Sequence, residues 1–144
     1  MKNKIVLIAA YLIAILFISV GVSKWLDHET FTKTLWASPL IRQYSFLIAP
    51  LLPPVEVAVA ILLLVPRTQR LGFIAALTMM IAFTIYNIYI VFFATNVPCA
   101  CGGIFRTMDW QTHLVVNSLF TVLALIGAWF TTPKKERLKT APFL

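Results

Sequence analysis

Four long apolar segments make up most of the chain, and short polar stretches separate them. Each segment is long enough to cross the roughly 30 Å hydrocarbon core of a bilayer, which a helix spans with about 20 residues. No Ser/Gly-rich linker, run of charges or repeat divides the chain further. The pattern therefore predicts one all-α domain over residues 1–144, an integral membrane four-helix bundle. We expect its helices at approximately 5–22, 46–65, 71–95 and 112–131.

Composition supports the membrane interpretation, because 60% of the residues are hydrophobic and only 12% are charged. The first apolar segment shares one feature with secretory signals, since Lys2 and Lys4 precede it. The segment is longer than the apolar core of a usual signal and lacks a small-x-small cleavage site. We therefore expect it to be retained as a membrane helix and not cleaved.

The net charge of +7 is distributed unequally between the two ends of the predicted helices. With the N-terminus inside, the cytoplasmic side carries eight basic residues: Lys2, Lys4, Arg67, Arg70, Lys134, Lys135, Arg137 and Lys139. The opposite side carries four: Lys24, Lys33, Arg42 and Arg106. The positive-inside rule thus predicts a multi-pass protein of the inner (cytoplasmic) membrane with both termini in the cytoplasm. These charges form no stripe with interleaved aromatic residues, so we expect no nucleic-acid binding.

The only two cysteines, Cys99 and Cys101, lie in the stretch VPCACGGIF between the third and fourth helices. The predicted orientation places them on the extracytoplasmic side, where disulfides form and persist. Residues two apart close a small, strained ring, which is typical of the labile disulfides used in exchange. We favour a redox-active dithiol. The alternatives are a soft-metal site for copper(I) or zinc with His113 and His28, and loop residues without chemistry.

His113 and Asn117 lie four residues apart and share one face of the predicted fourth helix. His113 follows Cys101 by twelve residues and lies at the outer start of that helix. A protonated His113 favours the attacking thiolate, and a neutral one can accept the thiol proton. We therefore group His113 with Cys99 and Cys101 as catalytic candidates. An interfacial hydrogen-bonding residue is the alternative interpretation of His113.

The second helix carries Glu56 near the predicted membrane midplane, shortly after three prolines. Pro50, Pro53 and Pro54 remove backbone donors and clash with the preceding turn, so we expect a break or kink there. Glu56 then falls in the first turn of the regular segment that follows. An ionisable group at this depth indicates an inward-facing functional site. The alternative is a protonated Glu56 that caps the broken helix.

The outer half of the third helix contains Tyr86, Asn87 and Tyr89. The ordinary interpretation is packing surface for the tyrosines and an interhelical hydrogen bond for the asparagine. The alternative is a slot for a flat, partly polar ligand such as a quinone. With Glu56 and Asn117, Tyr86 and Asn87 are our candidate cofactor-binding residues, and a quinone is the candidate cofactor.

Two features near the end of the first helix are typical of the membrane interface. We expect Lys24 to snorkel towards water and Trp25 to belong to the aromatic belt. The following stretch, TFTKTLWASPLIRQYSFL, spaces its apolar residues for a helix that lies on the membrane surface. Such a helix can form a lid over the loop that contains the cysteines.

The chain resembles the MauE branch of the DoxX-like membrane proteins, four-helix proteins associated with methylamine utilisation and related redox maturation. The motifs that carry the resemblance are GVSKWLD, PPVEVAVAILLLV and CACGG, with Asn117 one turn into the fourth helix. The resemblance implies that Cys99 and Cys101 are the redox pair and that Gly103 is a turn glycine. It further implies three polar positions inside the bundle: Lys24, Glu56 and Asn117.

These inferences lead to one main functional hypothesis and one alternative. We expect a membrane thiol–disulfide redox protein that exchanges electrons with an exported client or a thioredoxin-like partner. A quinone or a partner protein in a larger membrane complex then receives the electrons, since one dithiol cannot carry them across the membrane. The alternative is a non-enzymatic membrane subunit that binds a partner protein or a small ligand.

Overall fold

Five α-helices account for nearly all of the described chain. The computed structural model describes residues 2–94 and 108–132. The helices are α1 (Lys2–Leu26), α2 (His28–Ala37), α3 (Ser45–Leu64), α4 (Gln69–Phe93) and α5 (Trp110–Thr131), with a 3₁₀ turn at Arg42–Tyr44. Neither of the two described ranges contains a β-strand.

Four of these helices, α1, α3, α4 and α5, are long and apolar enough to cross a membrane. The most extensive contacts join α1 to α3 and α4 to α5, and further contacts of α3 with α4 and of α1 with α5 close the ring. The predicted all-helical, four-helix membrane architecture is therefore confirmed. At one end of the bundle, α1 and α4 end, and α3 and α5 begin. This end also carries α2, and we call it the α2 end.

Small residues allow close helix packing at the opposite end of the bundle. A Cβ atom added to Gly72 of α4 would lie 2.7 Å from the backbone nitrogen of Leu63 in α3. A Cβ added to Gly127 of α5 would overlap the ring of Phe73, which is fully buried. Close approach through small residues is the usual way in which membrane helices gain packing energy, because lipid provides no hydrophobic driving force between them.

Helix α3 is continuous through Pro50, Pro53 and Pro54, so the chain does not break there, and the expected kink stays a prediction. Prolines interrupt the hydrogen-bond ladder, but membrane helices tolerate them where neighbouring helices pack against the freed backbone groups. Pro53 is buried, and a Cβ on Gly21 of α1 would lie 3.1 Å from its carbonyl oxygen. Glu56 is consequently residue 12 of the 20 in α3, at mid-helix. The expectation that it caps the start of a helix is also wrong.

The predicted surface helix corresponds to α2, which packs against the beginning of α3. Phe31 and Leu35 of α2 are buried against Ala49 of α3, while Trp36 is exposed. Arg42 of the following 3₁₀ turn lies over the Trp36 ring, with its Cζ 5.0 Å from the ring centroid. Helix α2 is therefore fixed to the bundle by one apolar face. Its expected role as a lid concerns residues 95–107, which lie outside the described ranges.

Candidate functional site

A buried ion pair joins α1 to α3 near the α2 end. Lys24 Nζ lies 2.5 Å from Glu56 Oε1 and donates a hydrogen bond to it. Lys24 is only 7% exposed and Glu56 is fully buried. The expectation that Lys24 snorkels to the interface is therefore wrong, because its side chain turns inward to a carboxylate. A membrane-buried charge needs a partner, and each of these two residues supplies it for the other.

Gly21 explains how the two helices come close enough for this pair. It lies three residues before Lys24, on the same side of α1. A Cβ at this position would lie 3.3 Å from the Cβ of Glu56, tighter than ordinary van der Waals contact. The absence of a side chain on Gly21 thus lets α1 approach α3 at the level of Glu56.

Two aromatic rings surround the ammonium group of Lys24. The rings of Phe31, from α2, and Phe83, from α4, both have their centroids 5.3 Å from Lys24 Nζ. A cation at this distance from a ring is attracted to its negative face, and the attraction strengthens when water is excluded. The charge pair is therefore enclosed by α1, α2, α3 and α4.

Two acceptor atoms in this region have no hydrogen-bond partner among the described residues. They are Glu56 Oε2, the carboxylate oxygen that does not receive Lys24, and Asn87 Oδ1 of α4. Asn87 is 2% exposed and lies four residues after Phe83, on the same face of α4. An unsatisfied buried acceptor costs about 1–3 kcal/mol, so each of these atoms calls for an explanation.

Helix α5 contributes the remaining predicted residues at this end. His113 and Asn117 are both buried, as expected for residues that share one face. The His113 ring is stacked against Trp110, with centroids 6.1 Å apart, and Trp110 makes an edge contact of 6.3 Å with Tyr86 of α4. Tyr86 is therefore brought together with the start of α5, next to His113.

Farther from the α2 end than these aromatic rings, a hydrogen bond between side chains joins α4 to α5. The Thr84 and Thr121 hydroxyl oxygens are 3.2 Å apart, and Thr121 also donates to the backbone oxygen of Asn117. Tyr89 stacks on Phe93, near the end of α4. Tyr89 thus fits its ordinary interpretation as packing surface.

Asp109 precedes α5 as its N-cap residue and lies outside the membrane span. A hydrogen bond with the Thr112 side chain holds the pKa of the exposed Asp109 carboxyl below its usual value. The carboxylate is therefore charged at neutral pH. A negative charge at this position complements the positive end of the α5 dipole.

The cysteines of the predicted redox pair, Cys99 and Cys101, and the predicted turn glycine Gly103 lie outside the described residues. The described chain stops at Ala94, directly after α4, and resumes at Met108, just before α5. Both described residues that flank this segment, Ala94 and Met108, therefore lie at the α2 end.

The described residues contain no group of three His, Cys, Asp or Glu side chains that could hold a metal ion. His28 is exposed at the start of α2, whereas His113 is buried on α5. The soft-metal alternative depends on the two cysteines, so it stays a prediction.

Lys24 is the site residue that the sequence pattern alone did not single out. A lysine two residues before the end of an apolar helix is usually an interface anchor, and nothing in the helix pattern distinguishes a buried one. The available signal was the combination of Gly21, one turn before Lys24, with a carboxylate at mid-depth in the next long helix.

A family model described as "Methylamine utilisation protein MauE" matches residues 2–130, which is most of the chain. The matched range includes Lys24, Glu56, both cysteines and the whole of α4, and it ends within α5. No curated protein and no solved structure matches.

Proposed function

This chain belongs to the MauE family of membrane proteins, and on that premise we propose that it is a membrane thiol–disulfide redox protein. Cys99 and Cys101 exchange electrons with an exported client or a thioredoxin-like partner. One observation supports the proposal: Ala94 and Met108, the described residues that flank the segment with both cysteines, lie at the α2 end, where Lys24 and His113 are buried.

The exchange is a balanced two-electron reaction. A thiolate of the client attacks the Cys99–Cys101 disulfide and forms a mixed disulfide, and the second client thiolate then displaces the remaining cysteine. One disulfide forms in the client, and the Cys99–Cys101 bond is broken, leaving two thiols. His113, at the start of α5, supports the step by stabilising a thiolate or by accepting a thiol proton.

The electrons must leave the reduced pair before a second cycle. We propose a quinone as the acceptor, held near Glu56, Tyr86, Asn87 and Asn117. Two observations support this proposal: Glu56 Oε2 and Asn87 Oδ1 have no hydrogen-bond partner among the described residues, and Tyr86 makes an edge contact with Trp110. A bound quinone supplies two-electron, two-proton chemistry, and a partner protein in a larger complex is the alternative acceptor.

The orientation of the protein follows from its charges. We propose that both termini lie in the cytoplasm and that the α2 end faces the extracytoplasmic side of the inner membrane. Arg67 and Arg70 lie at the opposite end of the bundle, in agreement with the positive-inside rule. The cysteines then face the compartment in which disulfides persist.

Trapping of mixed disulfides tests the exchange. Cys99→Ser and Cys101→Ser each leave one thiol, and we expect at least one variant to accumulate a covalent complex that reducing agent releases. Ala100→Ser is the matched control, because it changes the same loop and keeps both thiols; it should accumulate no complex. Non-reducing electrophoresis followed by mass spectrometry identifies the bridged cysteine. The proposal fails if neither variant traps a complex and the double variant functions fully in cells.

A second candidate is a non-enzymatic membrane subunit in which the polar groups only hold the bundle together. The Lys24–Glu56 pair and the Thr84–Thr121 hydrogen bond favour it, because each directly joins two helices. In that case, the double Cys99→Ser/Cys101→Ser variant should fold, assemble and function like the unmodified protein.

A further inference from the structure

The lysine and arginine residues described at the α2 end differ in what neutralises their charge. Lys24 pairs with Glu56 inside the bundle, and Lys33 lies 3.8 Å from Glu29 on the surface of α2. Arg42 is exposed and forms no ion pair with any residue in the described ranges. Arg42 therefore carries the positive charge that this part of the protein leaves without a countercharge.

An aromatic ring fixes the position of the Arg42 side chain. Its Cζ lies 5.0 Å from the ring centroid of Trp36, a residue near the end of α2 that is 54% exposed. The attraction between a cation and the face of a ring holds the guanidinium at this place on the surface. A guanidinium has five N–H donors in a planar fork, and those of Arg42 donate no hydrogen bond within the described part of the chain. The side chain is therefore positioned while its donors stay available.

The position of Arg42 along the bundle corresponds to the level of lipid headgroups. The apolar span that contains α3 begins at Arg42 and continues to Leu64. On the other side of Arg42 lies α2, whose exposed residues include the charged pair Glu29 and Lys33. Tryptophan is enriched at this boundary between apolar and polar surroundings. The phosphate groups of phospholipids lie at the same level, just outside the hydrocarbon core.

Apolar surface continues from Arg42 along α3. The exposed side chains on the first half of that helix include Phe46, Leu47, Leu51 and Val55. They belong to a membrane span, so lipid acyl chains cover them. The first turn of α3 contains no acidic residue, and the positive end of its dipole therefore adds to the charge of Arg42. A positive group at headgroup level beside apolar surface is complementary to an anionic phospholipid.

We infer that Arg42 and Trp36 form a binding site for one anionic phospholipid of the phosphatidylglycerol type. The guanidinium of Arg42 donates hydrogen bonds to the phosphate oxygens, and the charges on both partners strengthen these bonds. Trp36 keeps the guanidinium in place, and the exposed side of α3 contacts the acyl chains. Phosphatidylcholine binds more weakly, because its choline group offsets the charge of its own phosphate. The inference involves no cysteine, so it is independent of the proposed redox function.

Native mass spectrometry of the delipidated full-length protein in dodecyl maltoside tests the site, because it counts the lipid molecules bound. Dioleoylphosphatidylglycerol and dioleoylphosphatidylcholine, which have the same acyl chains, are titrated separately. We expect the first molecule of dioleoylphosphatidylglycerol to bind roughly fivefold more tightly than the first molecule of dioleoylphosphatidylcholine. An excess of sn-glycerol 3-phosphate, which has a phosphate and no acyl chains, should not displace the bound lipid.

Four variants assign the preference to this site. Arg42→Gln removes the charge and should abolish the preference for dioleoylphosphatidylglycerol. Lys33→Gln is the matched control, because it removes a positive charge from the same end; it should keep the preference, since Lys33 already lies beside Glu29. Arg42→Lys keeps the charge without the planar fork and should keep only part of the preference. Trp36→Leu keeps an apolar side chain without the ring and should also reduce the preference.

Three results would overturn the inference: equal binding of the two lipids to the unmodified protein, a preference that Arg42→Gln reduces no more than Lys33→Gln does, or displacement of the lipid by sn-glycerol 3-phosphate. The second result would indicate attraction by the overall charge of this end, and the third a site for free phosphate. Because Arg42 is exposed, Arg42→Gln should fold like the unmodified protein, which circular dichroism checks.

Discussion

The carboxylate of Glu56 determines where the ammonium group of Lys24 lies. A lysine with no carboxylate within reach directs its ammonium group to water, but Lys24 has Glu56 at 2.5 Å and two rings at 5.3 Å. A charge pair desolvated in this way contributes little net stability, because its mutual attraction is offset by lost hydration. Removal of one member should instead destabilise the protein, because the other charge is then buried without a countercharge.

The first prediction concerns the two members of this pair. Lys24→Met should destabilise the protein by about 3–5 kcal/mol, because Glu56 is left without its countercharge. The double variant Lys24→Met/Glu56→Leu should recover most of that loss, since no uncompensated charge remains. Thermal and denaturant unfolding in detergent measures both effects.

Lys33 supplies the matched control for Lys24. It lies 3.8 Å from Glu29, and both side chains are highly exposed, so Lys33→Met should cost less than about 1 kcal/mol. If Lys24→Met proves no more destabilising than Lys33→Met, the folded protein does not depend on a countercharge for buried Glu56, and the prediction is contradicted.

At the level of helices, hydropathy was sufficient to predict the four spans, because each is a long apolar run bounded by polar residues. The packing between them was not predictable in this way. Continuity of α3 through three prolines depends on tertiary contacts, such as the close approach of Gly21 to Pro53, which a proline rule for single helices does not include. Burial of Lys24 depends on the same contact between α1 and α3.

The second prediction contrasts two glycines at the end opposite α2. Gly127→Ala should destabilise the protein by about 1–3 kcal/mol, because the new methyl group meets the Phe73 ring. Phe73→Leu should partly rescue it by making room. In Gly72→Ala, the new methyl group meets the backbone of Leu62 and Leu63. No single side-chain change should therefore restore the stability of that variant.

Unfolding curves of the single and double variants test this contrast. Phe73→Leu alone serves as the control, because it leaves a cavity and should destabilise the unmodified protein. The packing account is contradicted if Phe73→Leu rescues Gly72→Ala as well as it rescues Gly127→Ala.

Considered as a whole, the protein places its polar groups at one end and its tightest apolar packing at the other. Lys24, Asn87, His113 and Asn117 lie in the halves of their helices nearer the α2 end, and Glu56 lies at mid-helix in α3, while Gly72 and Gly127 lie at the opposite end. Sequence reasoning predicted most of these polar residues, because charged and amide groups are conspicuous in apolar helices. It could not predict which of them contact each other, since that depends on the rotation of each helix.

The third prediction concerns the orientation of the whole molecule. After mild reduction of intact cells stripped of any outer barrier, a membrane-impermeant maleimide should label Cys99 and Cys101. A Pro66→Cys variant lacking both native cysteines is the control at the opposite end, and it should be labelled only after permeabilisation. Labelling of Pro66→Cys before permeabilisation, with protection of the native pair, would reverse the proposed topology.

Redox titration of the cysteine pair tests the central claim most directly. The purified protein is equilibrated in glutathione buffers of graded potential, quenched in acid and alkylated, and its free thiols are counted by mass spectrometry. We predict that both thiols disappear together in one two-electron transition, at a potential above the roughly −300 mV below which structural disulfides lie. Two free thiols throughout the range, or a disulfide that no buffer in it reduces, would contradict a role in thiol–disulfide exchange.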